Sequence, residues 1–315
     1  MRDMRLELTD IHKSFGTKHV LRGLSLHVEN GRATGLLGRN GSGKTTTARI
    51  ILNVFLPDKG TVTLDGRTIR AEDADIGYLP EEKGLYPKLP VLDQLIYFGR
   101  LRGLPRRQAL EAAEHWLGVV ELSHEKSRRL ETLSKGNQQK VQLICALLTN
   151  PQILILDEPF GGLDPVNARL LKTIVNEQVA DGKLVLFSSH QMADVESFCD
   201  DIAILHDGVI ARSGRLSDIK RSYPQNRVEL RLVRDGRLQS QREVMEALKP
   251  KSQAFDSIAP YGQDTVAVRF RSETDRLPFL RTLIDSGFDV DLYRILVPSL
   301  DEIFVETTAG GQRHE

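Results

Sequence analysis

The glycine-rich stretch Gly38–Thr45 constrains this chain more than any other feature. It follows the pattern G-x-x-x-x-G-K-[ST], in which the glycines let the backbone curl and point successive N–H groups at an anion. The apolar run Thr34–Leu37 before it and the helical pattern Thr45–Leu52 after it predict a strand, a loop and a helix. Phosphates bound in the loop would therefore also lie at a helix N-terminus, where free N–H groups favour anions. We interpret the stretch as a cradle for nucleotide phosphates rather than as an ordinary turn.

The side chains of this loop have different predicted tasks. Lys44 is expected to reach the β- and γ-phosphates and to take part in catalysis, and the Thr45 hydroxyl to ligate Mg²⁺. The residues of the loop predicted to bind the nucleotide are Gly38, Asn40, Gly41, Ser42, Gly43, Lys44, Thr45 and Thr46.

Two carboxylates follow a second apolar run, Ile153–Leu156. A carboxylate at the end of a buried strand can hold Mg²⁺ beside the loop, which is the predicted role of Asp157. Glu158 is then placed to polarise a water for attack on the γ-phosphate. On its own, this segment would be read as a strand that ends in a solvated acidic turn; together with the phosphate loop it predicts ATP hydrolysis.

Composition limits the partners and the number of domains. A chain of 315 residues predicts two domains, and its 43 basic and 43 acidic side chains give no net charge that would favour a nucleic acid. The two cysteines, Cys145 and Cys199, have no metal-ligand spacing and fit buried positions in a reducing compartment. No stretch approaches the roughly 20 apolar residues needed to span a bilayer, so any membrane crossing is expected to belong to another chain.

The periodicity of apolar residues predicts the order of elements in the first domain. Alternation predicts strands, and a period of 3.6 residues between Leu89 and Arg129 predicts a helical subdomain, bounded at about residues 86–150. A β-α-β unit is predicted from two apolar runs and the helix between them. The predicted strands are Leu6–Ile11, Val20–Val28, two within Gly60–Ile69, Ile76–Leu79, Ile153–Leu156, Leu184–Phe187, Ile202–Leu205 and Val209–Ala211.

A change of composition at Ser222–Asn226 predicts a linker and a second, small α+β domain over residues 227–315. Its last helix is expected to open at Ser299, with Glu302 completing a capping box. The other predicted elements of this domain are strands at 227–233, 265–270 and 292–297 and helices at 242–248 and 277–286.

A third motif, Leu133–Lys140, starts a helical pattern that runs through Leu147. Ser134 and Gly136 would offer a hydroxyl and open N–H groups at the helix start, which suits a second anion site. Taken alone, the pattern is better explained as a capped core helix than as an anion site.

These motifs resemble those of the ATP-binding cassette (ABC) ATPases over residues 1–221. The phosphate loop, the Leu133–Gln138 signature, Asp157-Glu158, Gly162–Asp164 and Ser189-His190 occur in the order of that family. The resemblance implies a P-loop NTPase fold: a RecA-like α/β core, an antiparallel β subdomain and a helical subdomain, here followed by the small α+β domain. It also implies two cassettes that pair head to tail and enclose two ATP molecules with Mg²⁺.

The resemblance also implies roles for individual residues at the matching positions of this chain. Ser134 and Gly136 would contact the ATP held by the other subunit, and Asp164 would communicate across the interface. His190 would contact the γ-phosphate as a catalytic residue, and Phe15 would stack on adenine, although each residue taken alone would fit a structural role.

Two motifs depart from the family pattern. Lys135 and Asn137 replace residues of the usual Leu-Ser-Gly-Gly-Gln signature. Glu81 stands where the family has a glutamine that senses Mg²⁺ and the membrane subunit. A carboxylate oxygen still ligates Mg²⁺ but adds a negative charge beside the triphosphate, so Glu81 is retained as a metal-ligand candidate.

The combination of Tyr78–Glu82, the signature and the closing segment Pro298–Phe304 is similar to one branch, the bacterial ABC-2-type exporters of the sodium and drug efflux group. This similarity implies an ATPase subunit at the cytoplasmic face of the membrane, attached through a separate permease and paired with itself or with a paralogous ABC subunit. Two alternatives are a soluble ABC ATPase acting on ribosomes or nucleic acid, and a regulatory ATP binder without turnover. The neutral charge disfavours the first, and the presence of Glu158 and His190 disfavours the second.

Overall fold

The computed structural model describes residues 4–69, 75–82 and 84–310. The Cα positions divide the chain into two compact units, Met1–Leu216 with Phe304–Glu315, and Ser217–Ile303. Buried apolar side chains form a separate core in each unit.

The larger unit contains strands and helices that follow one another in small groups along the chain. Its strands are β1 (Arg5–Phe15), β2 (Lys18–Glu29), β3 (Ala33–Leu37), β4 (Lys59–Leu64), β5 (Arg67–Thr68), β6 (Ile76–Leu79), β7 (Ile153–Asp157), β8 (Leu184–Ser189), β9 (Asp201–His206) and β10 (Val209–Arg215). Its helices are α1 (Lys44–Ile51), α2 (Val91–Leu101), α3 (Arg106–Val119), α4 (Lys135–Leu147), α5 (Pro165–Ala180) and α6 (Met192–Phe198), with 3₁₀ turns at Ser123–Glu125 and Leu130–Thr132.

The central sheet places the functional loops along one edge. Within the described ranges its order is β10-β9-β3-β8-β7-β6, in which β10 is antiparallel and the others are parallel. Every residue of β3, β7 and β8 is buried, as expected for parallel strands covered on both faces. The carboxyl ends of these three strands lead into the phosphate loop, Glu158 and His190. The predicted α/β core is therefore confirmed.

A second, antiparallel sheet covers part of this core. Its order among the described residues is β2-β1-β4-β5, and its inward leucines, such as Leu8 and Leu24, share one apolar cluster with Leu36 and Ile155 of the central sheet. The alternation of buried and exposed residues in β2 is the pattern that the sequence predicted.

Helices α2, α3 and α4 form the predicted helical subdomain. Arg102, which follows α2, hydrogen-bonds both to the end of α4 and to the start of β6. The Arg102 guanidinium donates to the Ala146 carbonyl near the end of α4 at 3.2 Å and to the Ile76 carbonyl at the start of β6 at 2.8 Å. An ion pair with Asp75 at 3.1 Å completes this set. The end of α4 is thus held against the strand that precedes Glu81.

The smaller unit contains an antiparallel sheet with two helices against it. Its elements, with those that flank it, are α7 (Leu216–Arg221), β11 (Arg227–Arg234), β12 (Arg237–Leu238), α8 (Gln241–Leu248), β13 (Ser257–Tyr261), β14 (Thr265–Arg269), α9 (Arg276–Asp285), β15 (Asp289–Ile295) and α10 (Leu300–Gly310), with 3₁₀ turns at Lys249–Ala254 and Glu273–Asp275. In the described part of this unit β11 pairs with β12, β14 and β15, and β13 pairs with β14. The capping box at Ser299 is present, since Glu302 N donates to Ser299 Oγ at 3.2 Å and Ser299 N donates to the Glu302 carboxylate at 3.0 Å.

Three strands of this unit differ from the sequence prediction, since β12 and β13 were not predicted and β15 has other bounds. Strand β13 was not predicted because it contains Pro260, which breaks a central strand but is accepted at the end of a sheet. The last strand lies at Asp289–Ile295 rather than at 292–297. Its acidic start looks like a loop in the sequence, but Asp291 forms an ion pair with Arg231 on the neighbouring strand.

Candidate functional site

The phosphate loop connects β3 to α1 and encloses the Lys44 ammonium. Lys44 Nζ donates to the Gly38 carbonyl at 2.7 Å and to the Arg39 carbonyl at 3.4 Å, and the side chain is buried. Burial lowers the pKa of Lys44, while the negative charges of Glu158, Asp157 and Glu81 act in the opposite direction. The predicted phosphate-binding cation therefore lies inside the loop, close to three carboxylates.

Glycine is required in this loop for two separate reasons. Gly41 and Gly43 have φ angles of 80° and 115°, a region that residues with a side chain rarely adopt. Gly38 does not have a positive φ angle, but there is no space for a side chain at this position. An added Cβ would lie 2.4 Å from Ser42 Oγ and 2.8 Å from the Leu205 carbonyl oxygen.

Replacing Gly38 with alanine is expected to lower the free energy of unfolding by about 1–3 kcal/mol, because the backbone carbonyl of Leu205 must move. Urea unfolding measures this change. Gly118→Ala in α3 is the matched control, since the nearest atom to an added Cβ is 3.9 Å away; we expect it to raise stability by about 0.5–1 kcal/mol. Equal effects of the two substitutions would contradict the packing argument.

The Ser42 hydroxyl is a buried polar group that the folded loop leaves unsatisfied. Its Oγ is buried and has no hydrogen-bond partner within the part of the chain that the structure describes. Buried polar atoms are nearly always hydrogen-bonded, so this hydroxyl needs an acceptor from a bound ligand or water. A phosphate oxygen in the loop meets that need, and the predicted nucleotide fits the residues present.

Thr45 and Asp157 bring the loop together with the end of β7. Thr45 Oγ1 donates to Asp157 Oδ2 at 3.0 Å, and Asp157 is almost fully buried. The other carboxylate oxygen of Asp157 accepts a hydrogen bond from the Ser188 hydroxyl on β8. A hydroxyl oxygen and a carboxylate oxygen are ligands that suit Mg²⁺, whose other positions are commonly filled by phosphate oxygens and water. The described residues contain no group of three or more His, Cys, Asp or Glu that could hold a metal.

Glu158 and His190 meet beside this pair. Glu158 Oε1 accepts from the His190 backbone N–H at 2.7 Å and lies 2.6 Å from His190 Nδ1. Glu158 Oε2 accepts from Ser189 Oγ at 2.9 Å. The backbone of Glu158 has a φ of 50°, an uncommon angle that concentrates at functional sites.

Ser134 lies at the start of α4, and two other predicted interface residues, Gly136 and Asp164, lie against Asn167. Ser134 Oγ accepts from Asn137 N at 3.2 Å and so caps α4, and a Cβ on Gly136 would lie 2.9 Å from Asn167 Nδ2. Asp164 accepts from Asn167 N at 3.0 Å and from Val166 N at 3.0 Å, and the Asn167 hydrogen bonds are the main cause that lowers the pKa of Asp164. Gly136 and Asp164 are therefore brought together through one asparagine.

These residues are separate from the phosphate loop of the same chain. In residues 4–69, 75–82 and 84–310, no hydrogen bond joins Ser134, Gly136 or Asp164 to the loop. Ser134, which precedes the first residue of α4, is exposed.

The remaining predicted residues lie around the loop without direct contacts that assign a role. Phe15 ends β1 with an exposed ring, in an edge-to-face contact with Phe55 at 5.2 Å between centroids. Asn40 and Gly41 are exposed at the tip of the loop, Thr46 is half-buried in the first turn of α1, and Glu81 is exposed after β6.

Ser188, Ser189 and Asn167 contact the predicted site residues, but the sequence assigned no role to them, and Ser189 was named only as the neighbour of His190 in the resemblance. Two serines at the end of the apolar run Leu184–Phe187 were the signal for the first two, since a polar pair at the end of a buried strand needs partners. Asn167 gives no comparable signal in the sequence.

Comparisons with known proteins find matches over most of the chain. Residues 21–161 match the family described as ABC transporter, and residues 214–308 match the family described as ATP-binding protein DrrA1-3-like, C-terminal domain. The chain is 39% identical over 302 residues to the ABC transporter ATP-binding protein YhaQ of Bacillus subtilis (strain 168), covering 96% of this chain and 97% of that protein. It is 35% identical over 212 residues to the Nod factor export ATP-binding protein I of Paraburkholderia xenovorans (strain LB400), covering 66% of this chain and 70% of that protein.

A solved structure shows the same fold. The dimeric structure of MJ0796, a bacterial ABC transporter cassette, superposes with a TM-score of 0.60 at 25% identity and covers 67% of this chain and 98% of that one. Within the described residues, every helix is too short or too polar to cross a bilayer.

Proposed function

This chain belongs to the ATP-binding subunits of ABC transporters and is an ATPase, and we propose that it is the motor subunit of an ABC-2-type exporter with a separate membrane-spanning permease. The match of its C-terminal region to a DrrA1-3-like domain and its likeness to a Nod factor export protein support the exporter branch. The proposed domains are 1–221 for the cassette, with a helical subdomain at about 86–150, and 227–315 for the accessory domain.

We propose a head-to-tail dimer, and one observation carries this proposal. Ser134 and Gly136 form an anion-binding helix start that makes no hydrogen bond with the phosphate loop of its own chain in the part that the structure describes. A second copy of the chain would present its bound ATP to this helix start. The dimeric structure of the MJ0796 cassette supports the pairing of two cassettes. A paralogous ABC subunit would satisfy the same geometry.

Within each half of the dimer, the residues of the site have different proposed roles. Lys44 and the backbone N–H groups of the loop bind the β- and γ-phosphates. Thr45, Asp157 and Glu81 would hold Mg²⁺, which supplies positive charge to the triphosphate oxygens when bound. Glu158 accepts a proton from the attacking water, His190 contacts the γ-phosphate, and Phe15 stacks on the adenine. Asp164 would meet the partner subunit at the interface.

Removing the Thr45 hydroxyl tests the proposed magnesium site. Thr45→Val keeps the size and shape of the side chain, and we expect it to raise the Mg²⁺ concentration needed for half-maximal hydrolysis by about tenfold, since one oxygen ligand is lost. A titration of ATPase rate with Mg²⁺ measures this. Thr173→Val in α5, whose hydroxyl donates to the Arg169 carbonyl, is the control and should leave the midpoint unchanged. An unchanged midpoint for Thr45→Val would remove Thr45 from the metal site.

The permease is expected to meet the helical subdomain. Tyr86, Leu89 and Tyr97 are exposed there, close to the loop that carries Glu81. This attachment would place the protein at the cytoplasmic face of the membrane. The accessory domain is proposed to regulate the cassette, to support the dimer or to dock the partner.

Purification of the tagged protein from its own cells in mild detergent tests the proposed function. We expect a polytopic membrane protein to co-purify in a stoichiometric amount and ATP hydrolysis to depend on residues of the cassette. Recovery with ribosomes or nucleic acid, and not with a membrane protein, would contradict the exporter proposal and favour a soluble ABC ATPase.

A further inference from the structure

We propose that Ser189 is a positioning residue that fixes the carboxylate of Glu158 for hydrolysis. The inference rests on the role proposed above for Glu158 and adds a residue to that site. Ser189 lies at the end of β8, is 2% exposed, and contacts Glu158 through a single oxygen, Oγ to Oε2 at 2.9 Å.

The pairing of two neighbouring strands places one serine against each of the two carboxylates. Asp157 and Ser188 are register partners in the parallel pair β7–β8, and the Ser188 hydroxyl donates to Asp157. The next residue after Asp157 is Glu158 and the next after Ser188 is Ser189, and the Ser189 hydroxyl donates to Glu158. Because successive side chains on a strand point in opposite directions, two adjacent serines serve two different carboxylates. Ser188 therefore belongs to the metal side of the site and Ser189 to the water side.

The direction of the Ser189 hydrogen bond is fixed by its second neighbour. Gln191 N donates to Ser189 Oγ at 3.0 Å, which occupies an acceptor position of the hydroxyl. A serine hydroxyl has one proton, and the carboxylate of Glu158 is an acceptor when ionised. The proton of Ser189 consequently points at Glu158 Oε2, and this charge-assisted bond holds the ionised form of the side chain in one orientation.

The two carboxylate oxygens of Glu158 differ in whether their hydrogen-bond partners are expected to stay in place during hydrolysis. Oε1 faces His190 Nδ1 at 2.6 Å, but the His190 side chain is 47% exposed and is the group proposed to turn to the γ-phosphate. Oε2 faces Ser189, which is buried at the end of a core strand and has no comparable freedom. When His190 engages a phosphate, Ser189 and the His190 backbone N–H remain to aim the carboxylate at the attacking water.

Removal of the hydroxyl should slow the chemical step without weakening nucleotide binding. We expect Ser189→Ala to lower kcat by about tenfold, because a misplaced general base loses much of its advantage in rate. The KM for ATP and the affinity for ATP should stay within about twofold, since Ser189 makes no contact with Lys44 or the loop in the described structure. Ser189→Thr retains the hydroxyl and should restore most of kcat.

The experiment compares steady-state kinetics, ATP affinity and thermal unfolding of the full chain with Ser189→Ala, Ser189→Thr, Glu158→Gln and the double variant Glu158→Gln/Ser189→Ala. The proposal expects a loss confined to kcat in Ser189→Ala, recovery in Ser189→Thr, and no further loss when Ser189→Ala is added to Glu158→Gln. An unchanged kcat in Ser189→Ala would overturn the proposal. So would a loss of kcat that Ser189→Thr does not restore and that is accompanied by a raised KM or a lower unfolding temperature. If Glu158→Gln hydrolyses ATP at the original rate, the role proposed for Glu158 fails, and that result is distinct from a failure of Ser189.

Discussion

Replacing Lys44 with alanine is expected to weaken ATP binding by about 100-fold, which corresponds to roughly 2.7 kcal/mol. The Lys44 ammonium is buried within the phosphate loop and donates to the carbonyls of Gly38 and Arg39. A charge-assisted hydrogen bond to a phosphate in such a site contributes more than a neutral one, and no other lysine hydrogen-bonds to this loop in the described structure. Isothermal titration calorimetry with ATP measures the loss.

Lys183→Ala is the matched control for this prediction. Lys183 is also a buried lysine whose pKa burial lowers, but its ammonium donates to Asn150 and Gln178, away from the loop. We expect Lys183→Ala to change thermal stability and to leave ATP affinity unchanged. Equal affinities for Lys44→Ala and the unchanged protein would contradict the phosphate-loop assignment.

Replacing Glu158 with glutamine is expected to lower kcat by about 100- to 1,000-fold while ATP still binds. Glutamine keeps the size of the side chain but cannot accept a proton from the attacking water. Because ATP persists at the interface, the variant should accumulate as a dimer with Mg-ATP. A phosphate-release assay and size-exclusion chromatography measure the two effects.

Glu177→Gln on the exposed face of α5 is the control, since it changes the same charge far from the described contacts of Glu158. The Glu177→Gln protein should hydrolyse ATP at the original rate and should form a dimer only transiently. A Glu158→Gln protein that stays monomeric and hydrolyses ATP normally would exclude Glu158 from the mechanism.

The parts of the site that the sequence predicted are those with a fixed spacing. The loop Gly38–Thr45 was predicted from spacing alone, because its backbone needs glycine and because Lys44 and Thr45 are the residue types that would bind phosphate and Mg²⁺. Asp157 and Glu158 followed from their place at the end of an apolar run. The structure brings Lys44, Thr45, Asp157, Glu158 and His190 to one edge of the sheet, although their separation along the chain exceeds a hundred residues in some pairs, such as Thr45 and Asp157 at 112.

What the sequence did not predict depends on contacts between distant strands. Ser189 acquires its partner from the register of β7 and β8, and no local pattern encodes a register. Asn167 lies in an ordinary helical pattern, yet it joins Asp164 to the start of α4. Strand β13 was missed because Pro260 is a breaker in most contexts and the position of a strand at the end of a sheet is a tertiary property.

The most direct test is a crystal structure of the Glu158→Gln protein grown with Mg-ATP. We expect two chains related by a twofold axis, with each γ-phosphate between Lys44 of one chain and Ser134 of the partner subunit. An ATP molecule that touches residues of a single chain only, with Ser134 of the partner subunit turned away from the nucleotide, would contradict the account.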